Sequence, residues 1–295
     1  MIKTNINPSI KRVIEGSLLK KCFLIFSVVV LSLGAWANPH LASKQQIGMF
    51  KNSKTCVVFE DGITFYNAYI KDAVQKYWKS TDYEFIDQRE FEKRRSDSKY
   101  SFIVRVDGVY DNDPGGVSYS YMSLILGDPS DLVSRMPELC SVPLSYSGDK
   151  ETDYEYVIPA IVKFMQKHAK NLEKERLMIS IKGFKYYNSA NGFKDKVLLL
   201  NKDKMASDAD SPEKIKTIYP YYVKLLTPTG ILEELASNPT NALFNFHVGP
   251  QKDAGAGKCF EMIYDIEGNL YYYNSRKITN DNPDGFNLKD FNKIR

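Results

Sequence analysis

The stretch CVVFEDG, residues 56–62, decides the fold, because it joins a short apolar run to an acidic turn. An apolar run of this length bounded by turn residues is typical of a buried strand, and a helical pattern follows it. Two further strand-like runs occupy residues 83–86 and 101–106. Between them Asp87 is placed to cap an amphipathic helix that carries Phe91. The first half of the chain therefore predicts the order β-α-β-α-β.

The second half repeats this order at a spacing close to 140 residues. Val197 opens the run VLLL and stands 140 positions after Val57 (197 − 57). Thr227 and Pro228 are predicted to begin a helix that corresponds to the helix capped by Asp87 in the first half, since a hydroxyl cap followed by Pro is a common helix start. The runs that complete the pattern as strands are 222–226, 242–249, 118–126, 258–266, 140–146 and 270–274, the last after a hairpin turn at 267–269.

The pattern predicts an α/β (α+β) fold of two similar units. Each unit is a mixed sheet of about five strands in the order β-α-β-α-β-β-β. Apolar residues at helical spacing predict a long helix over 151–174, and the segment 175–194 either continues it or forms a linker. The predicted organisation is a leader at 1–37, a first unit at 38–150, a helix and linker at 151–194, and a second unit at 195–295. The alternative is that any α/β chain can be cut into similar-looking pieces.

The first unit resembles uncharacterised secreted bacterial proteins that are built from a duplicated α/β unit. The resemblance rests on residues 57–106, especially Tyr77-Trp78-Lys79 followed by Tyr83-Glu84-Phe85. It covers about a third of the chain and contains no specific motif. It implies secretion and a duplicated fold, and it implies no function and no site residue.

The first 37 residues have the pattern of a secretory signal. Five Lys or Arg residues precede or border an uncharged stretch at 22–34, and Ala35-Trp36-Ala37 is a site that a signal peptidase accepts. Cleavage there would leave Asn38 as the first residue. An uncleaved anchor is the alternative, although the apolar stretch is short for a bilayer. Cys22 begins the apolar stretch, whereas a lipoprotein would carry its acylated cysteine at the end. We expect a soluble protein of the periplasm or the extracellular space, without a membrane span.

The formal net charge of +4 comes entirely from this leader. Residues 1–37 hold five basic residues and one acid, so residues 38–295 keep 35 basic (40 − 5) and 35 acidic (36 − 1) residues. A chain without net charge has no global positive field to attract nucleic acid. No nucleic-acid partner is therefore predicted.

Three cysteines remain after the leader, Cys56, Cys140 and Cys259. Each lies in an apolar, strand-like run, where a free cysteine acts as a small core residue. We predict buried thiols, and a bridge between Cys56 and Cys140 is the alternative. No C-x-x-C pair is present, and the histidines show no ligand spacing, which disfavours a zinc site.

Three loops resemble ligand-binding motifs without matching them. The loop 249–258 ends in Gly-Lys, but it lacks the first Gly and the Ser or Thr of a phosphate loop and leads into a strand. The loop 280–285 begins like a calcium loop, but Phe291 stands where a bidentate Glu is required. The acidic turn 107–116 matches less well. We therefore predict no cofactor and no metal.

The sequence contains no recognised catalytic motif of a serine or zinc hydrolase. His247 is the histidine on a predicted strand, His168 lies on the long helix, and His40 stands near the expected mature terminus. Asp61 and Asp107 follow predicted strands, at the edge of an α/β sheet where ligands commonly bind. An unrecognised hydrolase that uses His247, Asp61 and Asp107 is accordingly the alternative function.

Tyrosine clusters favour a different function. Tyr219, Tyr221 and Tyr222 form one cluster, and Tyr271 and Tyr273 are expected to share one face of a strand. Exposed tyrosines offer rigid, amphipathic contact area, although tyrosine is also common in strands for packing reasons. Our first hypothesis is an exported, non-enzymatic binding or adaptor protein of the bacterial cell envelope that contacts an envelope protein or a glycan.

Overall fold

The computed structural model describes residues 41–62, 64–109, 118–189, 192–237, 239–250 and 257–295. The predictions for the leader at 1–37, for His40 and for most of the acidic turn and of the loop 249–258 lie outside these residues. The described residues form one compact unit. Within them, no helix combines the length and the apolar character that crossing a bilayer requires.

The first unit contains a five-stranded mixed sheet. Its strand order is β2-β1-β3-β4-β5, with β1 parallel to β2 and β3, and with β4 antiparallel to both β3 and β5. Its elements are α1 (Lys44–Phe50), β1 (Lys54–Val58), α2 (Phe65–Tyr77), β2 (Tyr83–Ile86), α3 (Gln88–Arg94), β3 (Tyr100–Val109), β4 (Ser118–Leu126) and β5 (Glu138–Tyr146).

The second unit has the same strand order, β7-β6-β8-β9-β10, and the same pattern of parallel and antiparallel pairs. The predicted α/β fold of two similar units is thus confirmed. A long helix, α4 (Ile158–Lys182), precedes the second sheet. The other elements are β6 (Val197–Asn201), α5 (Pro212–Lys216), β7 (Val223–Leu226), α6 (Pro228–Ser237), β8 (Ala242–Val248), β9 (Lys258–Asp265), β10 (Leu270–Lys277) and α7 (Leu288–Ile294).

Corresponding helices begin with corresponding caps. The Glu90 amide donates to Asp87 Oδ1 at 2.8 Å at the start of α3. The Gly230 amide donates to Thr227 Oγ1 at 3.1 Å at the start of α6. Each cap satisfies an amide that the first helical turn leaves without a partner. The two caps are 140 residues apart, so the repeat in the sequence is also a repeat of local hydrogen bonding.

Both sheets share one hydrophobic core, and α4 contributes more to it than any other helix. The buried residues of α4 are Ile158, Ala160, Ile161, Val162, Phe164, Met165, His168, Ala169, Leu172 and Ile179. Phe164 packs edge-on against Tyr264 of β9, and the Gln166 amide donates to the Tyr77 carbonyl of α2 at 2.9 Å. The helix therefore contacts elements of both units. The boundaries predicted for the units remain a prediction.

The shared core meets non-equivalent faces of the two sheets. In the first unit α2 packs into the shared core, while Phe91 of α3 packs with Phe102 on the other face. In the second unit Ile215 of α5 lies in the outer cluster and Ile231 of α6 lies in the shared core. The first sheet thus meets the shared core on the side of its first crossover helix, and the second sheet meets it on the side of its second crossover helix. Equivalent positions then meet different surroundings, which explains the low residue identity between the halves.

The three cysteines of the described residues are free and buried, as predicted. Cys56 packs in the cluster on the outer face of the first sheet, and Cys140 packs in the shared core. Burial and, after it, the neighbouring carboxylate of Glu84 raise the pKa of Cys56 to about 11, against the opposing effect of Arg94. The thiols therefore act as small core residues, without the thiolate character that reactivity requires.

Gly268 provides a test of the contact between α4 and the second sheet. It has φ +70° in the β9–β10 hairpin, and an added Cβ would lie 2.6 Å from the Ala160 carbonyl oxygen of α4. We expect Gly268→Ala to lower the free energy of unfolding by about 2–5 kcal/mol, since backbone strain and overpacking add.

Gly148→Ala is the matched control, because Gly148 has φ +96° with open space around it. It should cost only the strain, about 1–2 kcal/mol. Denaturant unfolding of both variants measures the difference. Equal losses of stability would show that the hairpin does not press against α4.

Candidate functional site

The second sheet contains a buried network of charged side chains centred on His247. His247 of β8 and Glu261 of β9 are direct cross-strand partners, and Arg276 of β10 lies beside them. The Nδ1 atom of His247 is 2.6 Å from Glu261 Oε1. Arg276 Nη2 is 3.5 Å from the same carboxylate oxygen. Three adjacent strands thus place a His, a Glu and an Arg side by side.

The C-terminal segment supplies two further carboxylates to this network. Asp284 Oδ1 lies 3.1 Å from His247 Nε2, so both ring nitrogens face a carboxylate. Asp290 of α7 accepts from Arg276 Nη1 at 2.9 Å and from the Tyr272 hydroxyl at 2.7 Å. The network therefore ties the last eighteen residues of the chain to the sheet by charge-assisted hydrogen bonds, which are stronger than neutral ones.

The carboxylates keep His247 protonated. Burial by itself lowers its pKa, but the charges of Glu261 and Asp284 outweigh burial and raise the pKa to about 10. Burial also raises the pKa of Glu261, to about 7, against the opposing effect of His247. At neutral pH the imidazole is therefore a cation that donates from Nδ1 to Glu261 and has its Nε2 in ion-pair contact with Asp284, with no lone pair to accept a proton.

Gly249 has to be glycine because the network approaches the backbone closely. A Cβ at this position would lie 2.4 Å from Asp284 Oδ1 and 2.8 Å from His247 Nε2. Any side chain would displace Asp284 from the imidazole. The sequence showed Gly249 as the start of a loop and gave no sign of this contact.

A small enclosed cavity adjoins His247 at the carboxyl end of β6. Its volume is about 10 Å³, the space that a single water molecule needs. Its lining includes Asn201, Tyr154 and Tyr156. The segment before α4 closes it: the Tyr156 hydroxyl donates to the Asn245 carbonyl at 2.9 Å. The sheet edge where α/β proteins commonly bind ligands is therefore filled here by the protein itself.

The structure does not join the three residues of the hydrolase hypothesis into one site. Asp61 and Asp107 are exposed, and both lie near Glu60 at the end of β1 in the first unit. Burial raises the pKa of Glu60, while Arg105, whose Nη2 is 3.4 Å from Glu60 Oε2, lowers it. His247 is buried in the second unit with Glu261 and Asp284 as its partners.

The first tyrosine cluster is divided between core and surface. Tyr219 is fully buried and packs edge-on against Tyr221 and near Phe291 of α7. Tyr221 is partly buried, and Tyr222 is 74% exposed directly before β7. Since β7 is the outermost strand of its sheet, Tyr222 stands at a sheet edge. One tyrosine of this cluster is thus fully available for contact with another molecule.

The prediction that Tyr271 and Tyr273 share one face is wrong. The pairing of β10 with β9 shifts between Leu270 and Tyr272, which is the mark of a β-bulge. The bulge brings Tyr271 to the outer cluster together with Tyr272, while Tyr273 packs against the shared core. Both are only partly exposed. A register shift cannot be read from residue alternation, so the sequence offered no signal for it.

The remaining candidates have structural partners. His168 Nδ1 lies 2.7 Å from the Tyr187 hydroxyl, and burial lowers the pKa of this histidine to about 3. In the loop 280–285, Asp284 faces His247 and the Asn282 side chain accepts from Lys289 at 3.1 Å. Within the described part of the chain, no group of three or more His, Cys, Asp or Glu residues is arranged to hold a metal ion.

Comparison with known proteins returned no matching family model, no matching curated protein and no matching solved structure. The functional argument therefore rests on the residues of this chain.

The protonated state of His247 predicts a pH dependence of stability. Its folded pKa of about 10 lies above the ordinary 6.5. Its contribution to stability is therefore fully present below pH 6.5 and is lost as the pH rises towards 10. We expect the free energy of unfolding to fall between pH 7 and pH 10, and to fall less in the neutral double variant His247→Gln/Glu261→Gln.

Urea unfolding at a series of pH values measures this slope. His168→Gln is the control, because His168 is neutral in both the folded and unfolded states above pH 7 and should leave the slope unchanged. Tyrosines and cysteines also titrate in this range, but equally in all three proteins. If the double variant kept the wild-type slope, His247 would not be protonated in the folded state.

Proposed function

We propose that this chain is an exported, non-enzymatic binding protein of the bacterial cell envelope that contacts a partner protein through Tyr222 at the edge of the second sheet. The 74% exposure of Tyr222 carries the proposal. An exposed tyrosine offers a large apolar ring and a polar hydroxyl to another molecule, and Tyr222 offers both beside a strand edge. Tyrosine is also enriched where proteins meet, because its ring gives contact area at low entropic cost.

The surroundings of Tyr222 suit a protein partner. β7 has only four residues and forms the edge of its sheet, so one side of its backbone is not used by any of the described strands. A partner segment that packs on Tyr222 can also reach backbone groups along this edge, as in recognition by strand addition. A glycan that stacks on the tyrosine ring is the alternative ligand of the same surface.

The export part of the proposal is supported by the first 37 residues. Their basic residues, uncharged stretch and Ala35-Trp36-Ala37 site follow the order of a secretory signal. The absence of net charge over residues 38–295 agrees with a partner that is not a nucleic acid.

The arrangement of His247 gives the hydrolase alternative no support. A general base must reach its substrate within hydrogen-bond distance and must be able to accept a proton. The His247 side chain is 1% exposed, and both of its nitrogens face carboxylates. We assign this residue to fastening the C-terminal segment to the sheet.

Capture of partners from a solubilised envelope fraction tests the proposal. Wild-type residues 38–295, the Tyr222→Ser variant and the Phe65→Ser variant would each be immobilised, and the retained proteins identified by mass spectrometry. Phe65 is 62% exposed in the first unit and is the matched control. We expect the wild type and Phe65→Ser to retain the same protein, and Tyr222→Ser to retain at least about tenfold less, the loss typical of a truncated interface anchor.

Retention of no specific protein by the wild type, or equal retention by Tyr222→Ser, would contradict the proposal. Cosedimentation of the same three proteins with isolated envelope polysaccharide tests the glycan alternative. Binding there that depends on Tyr222, without a retained protein, would replace the protein partner by a glycan.

A further inference from the structure

The end of helix α4 exposes an apolar stripe. Among the described residues six large hydrophobic side chains are exposed, and three of these lie within one short stretch of α4. They are Leu177 and Ile181, each 70% exposed, and Met178, 39% exposed. Leu177 and Ile181 are four residues apart, so they lie one above the other on one face of the helix. Such a concentration of exposed apolar side chains marks an interaction surface.

This part of α4 is distinct from the part that packs into the core. Glu175 departs from helical geometry, with φ −116° and ψ 20°, and divides the helix. Before this break α4 buries nine of its ten core residues, and after it only Ile179 is buried. The last turns therefore use a single residue for packing and present the opposite side to solvent.

Lysines border the apolar stripe. Lys174 and Lys182 are exposed and flank the three apolar residues in the sequence, and Lys185 follows just beyond the end of α4. Glu173 is engaged in an ion pair with Lys51 at 2.8 Å, which leaves Glu175 as the acidic residue beside three lysines. Residues 38–295 have no net charge, so the stripe is more positive than the chain as a whole.

The N-terminal part of the chain reaches the same place. Arg176 Nε donates to the Ala42 carbonyl at 2.7 Å, so the first described residues lie against the last turns of α4. The uncharged stretch of the leader ends at residue 34, seven positions before Leu41 (41 − 34).

We propose that Leu177, Met178 and Ile181, with Lys174, Lys182 and Lys185 around them, form a docking surface for an anionic lipid bilayer. Leucine, isoleucine and methionine enter the boundary between headgroups and acyl chains, while the lysines contact lipid phosphates, as in amphipathic helices that lie on membranes. This surface is separate in sequence and fold from Tyr222 and goes beyond the proposed function.

Two other candidates for the molecule that covers this surface match its charges less well. In a symmetric contact between two copies of the chain, the three lysines of one copy would lie against those of the other, and like charges repel. The apolar leader stretch would cover the three apolar side chains but offers the lysines no negative charge. Lipid phosphates match the apolar and the basic parts of the surface together.

Cosedimentation of residues 38–295 with vesicles tests this proposal, because these residues contain the whole compact unit. We expect binding to vesicles of phosphatidylglycerol and phosphatidylethanolamine, weaker binding to phosphatidylcholine vesicles, and a loss of binding at high salt. Leu177→Ser/Ile181→Ser should reduce binding to the anionic vesicles by at least about tenfold, since two apolar anchors are lost.

Phe65→Ser/Leu132→Ser removes two exposed apolar residues elsewhere and should bind like the wild type. Thermal melting checks that both double variants remain folded. The Tyr222→Ser variant should also bind vesicles normally. Failure of the vesicle-binding proposal and failure of the proposed function are therefore distinguishable.

Absence of binding to anionic vesicles, or equal binding of Leu177→Ser/Ile181→Ser, would overturn the proposal. Sedimentation that shows a dimer in the wild type and a monomer in this variant, without vesicle binding, would assign the stripe to a second copy. Vesicle binding that is present in residues 38–295 and lost in the full chain would assign the stripe to the leader stretch.

Discussion

The structure depends on the burial of one helix, α4, against elements of both sheets. In each five-stranded sheet the crossover helices pack over the parallel strands. The apolar side chains of the strands that follow the crossovers have to be buried by another element. In this chain α4 provides that cover for both units, with Phe164 against Tyr264 on one side and Gln166 against Tyr77 on the other. Ten buried residues of α4 contribute to stability chiefly through removal of apolar surface from water. The helix therefore helps to bury the inner faces of both sheets.

The way the sheets meet explains why the duplication is visible in topology and faint in residue identity. The shared core covers the α2 face of the first sheet and the α6 face of the second, which are not equivalent. A position that is central in one unit is therefore peripheral in the other, and its residue type follows the local surroundings. The buried network around His247 belongs to this difference, since it fastens the C-terminal segment over a face that is equivalent to the α2 face of the first sheet. Buried charges of this kind are costly to desolvate, and the ion pairs within the network offset part of that cost, although Glu261 Oε2, Arg276 Nε and Asp284 Oδ1 make no hydrogen bond to the described residues.

Residue pattern was sufficient to predict the order of elements along the chain, the crossover helices α2, α3 and α6, and both helix caps, because these depend on local alternation and on side chains such as Asp87 and Thr227. It was also sufficient for the burial of Cys56, Cys140 and Cys259, which stand within apolar runs. The short helices α1 and α5 were not predicted, since each has too few residues to show a period. The partners of His247 could not be predicted, because Glu261 and Asp284 lie fourteen and thirty-seven residues away (261 − 247 and 284 − 247) and meet it only after the sheet has formed. The exposure of Leu177 and Ile181 likewise depends on the break at Glu175, for which the sequence has neither Pro nor Gly.

The claim that both units depend on one core is tested most directly by equilibrium unfolding of residues 38–295 in guanidinium chloride. Trp78 is the single tryptophan in this range and lies buried in the shared core beside the first sheet. Its fluorescence reports on the first unit, and amide hydrogen exchange of β8 and β9 reports on the second. The account predicts coincident loss of Trp78 fluorescence and of far-ultraviolet circular dichroism, with equal free energies of opening for β1, β3, β8 and β9. Two separate transitions, with Trp78 following only one of them, would contradict it.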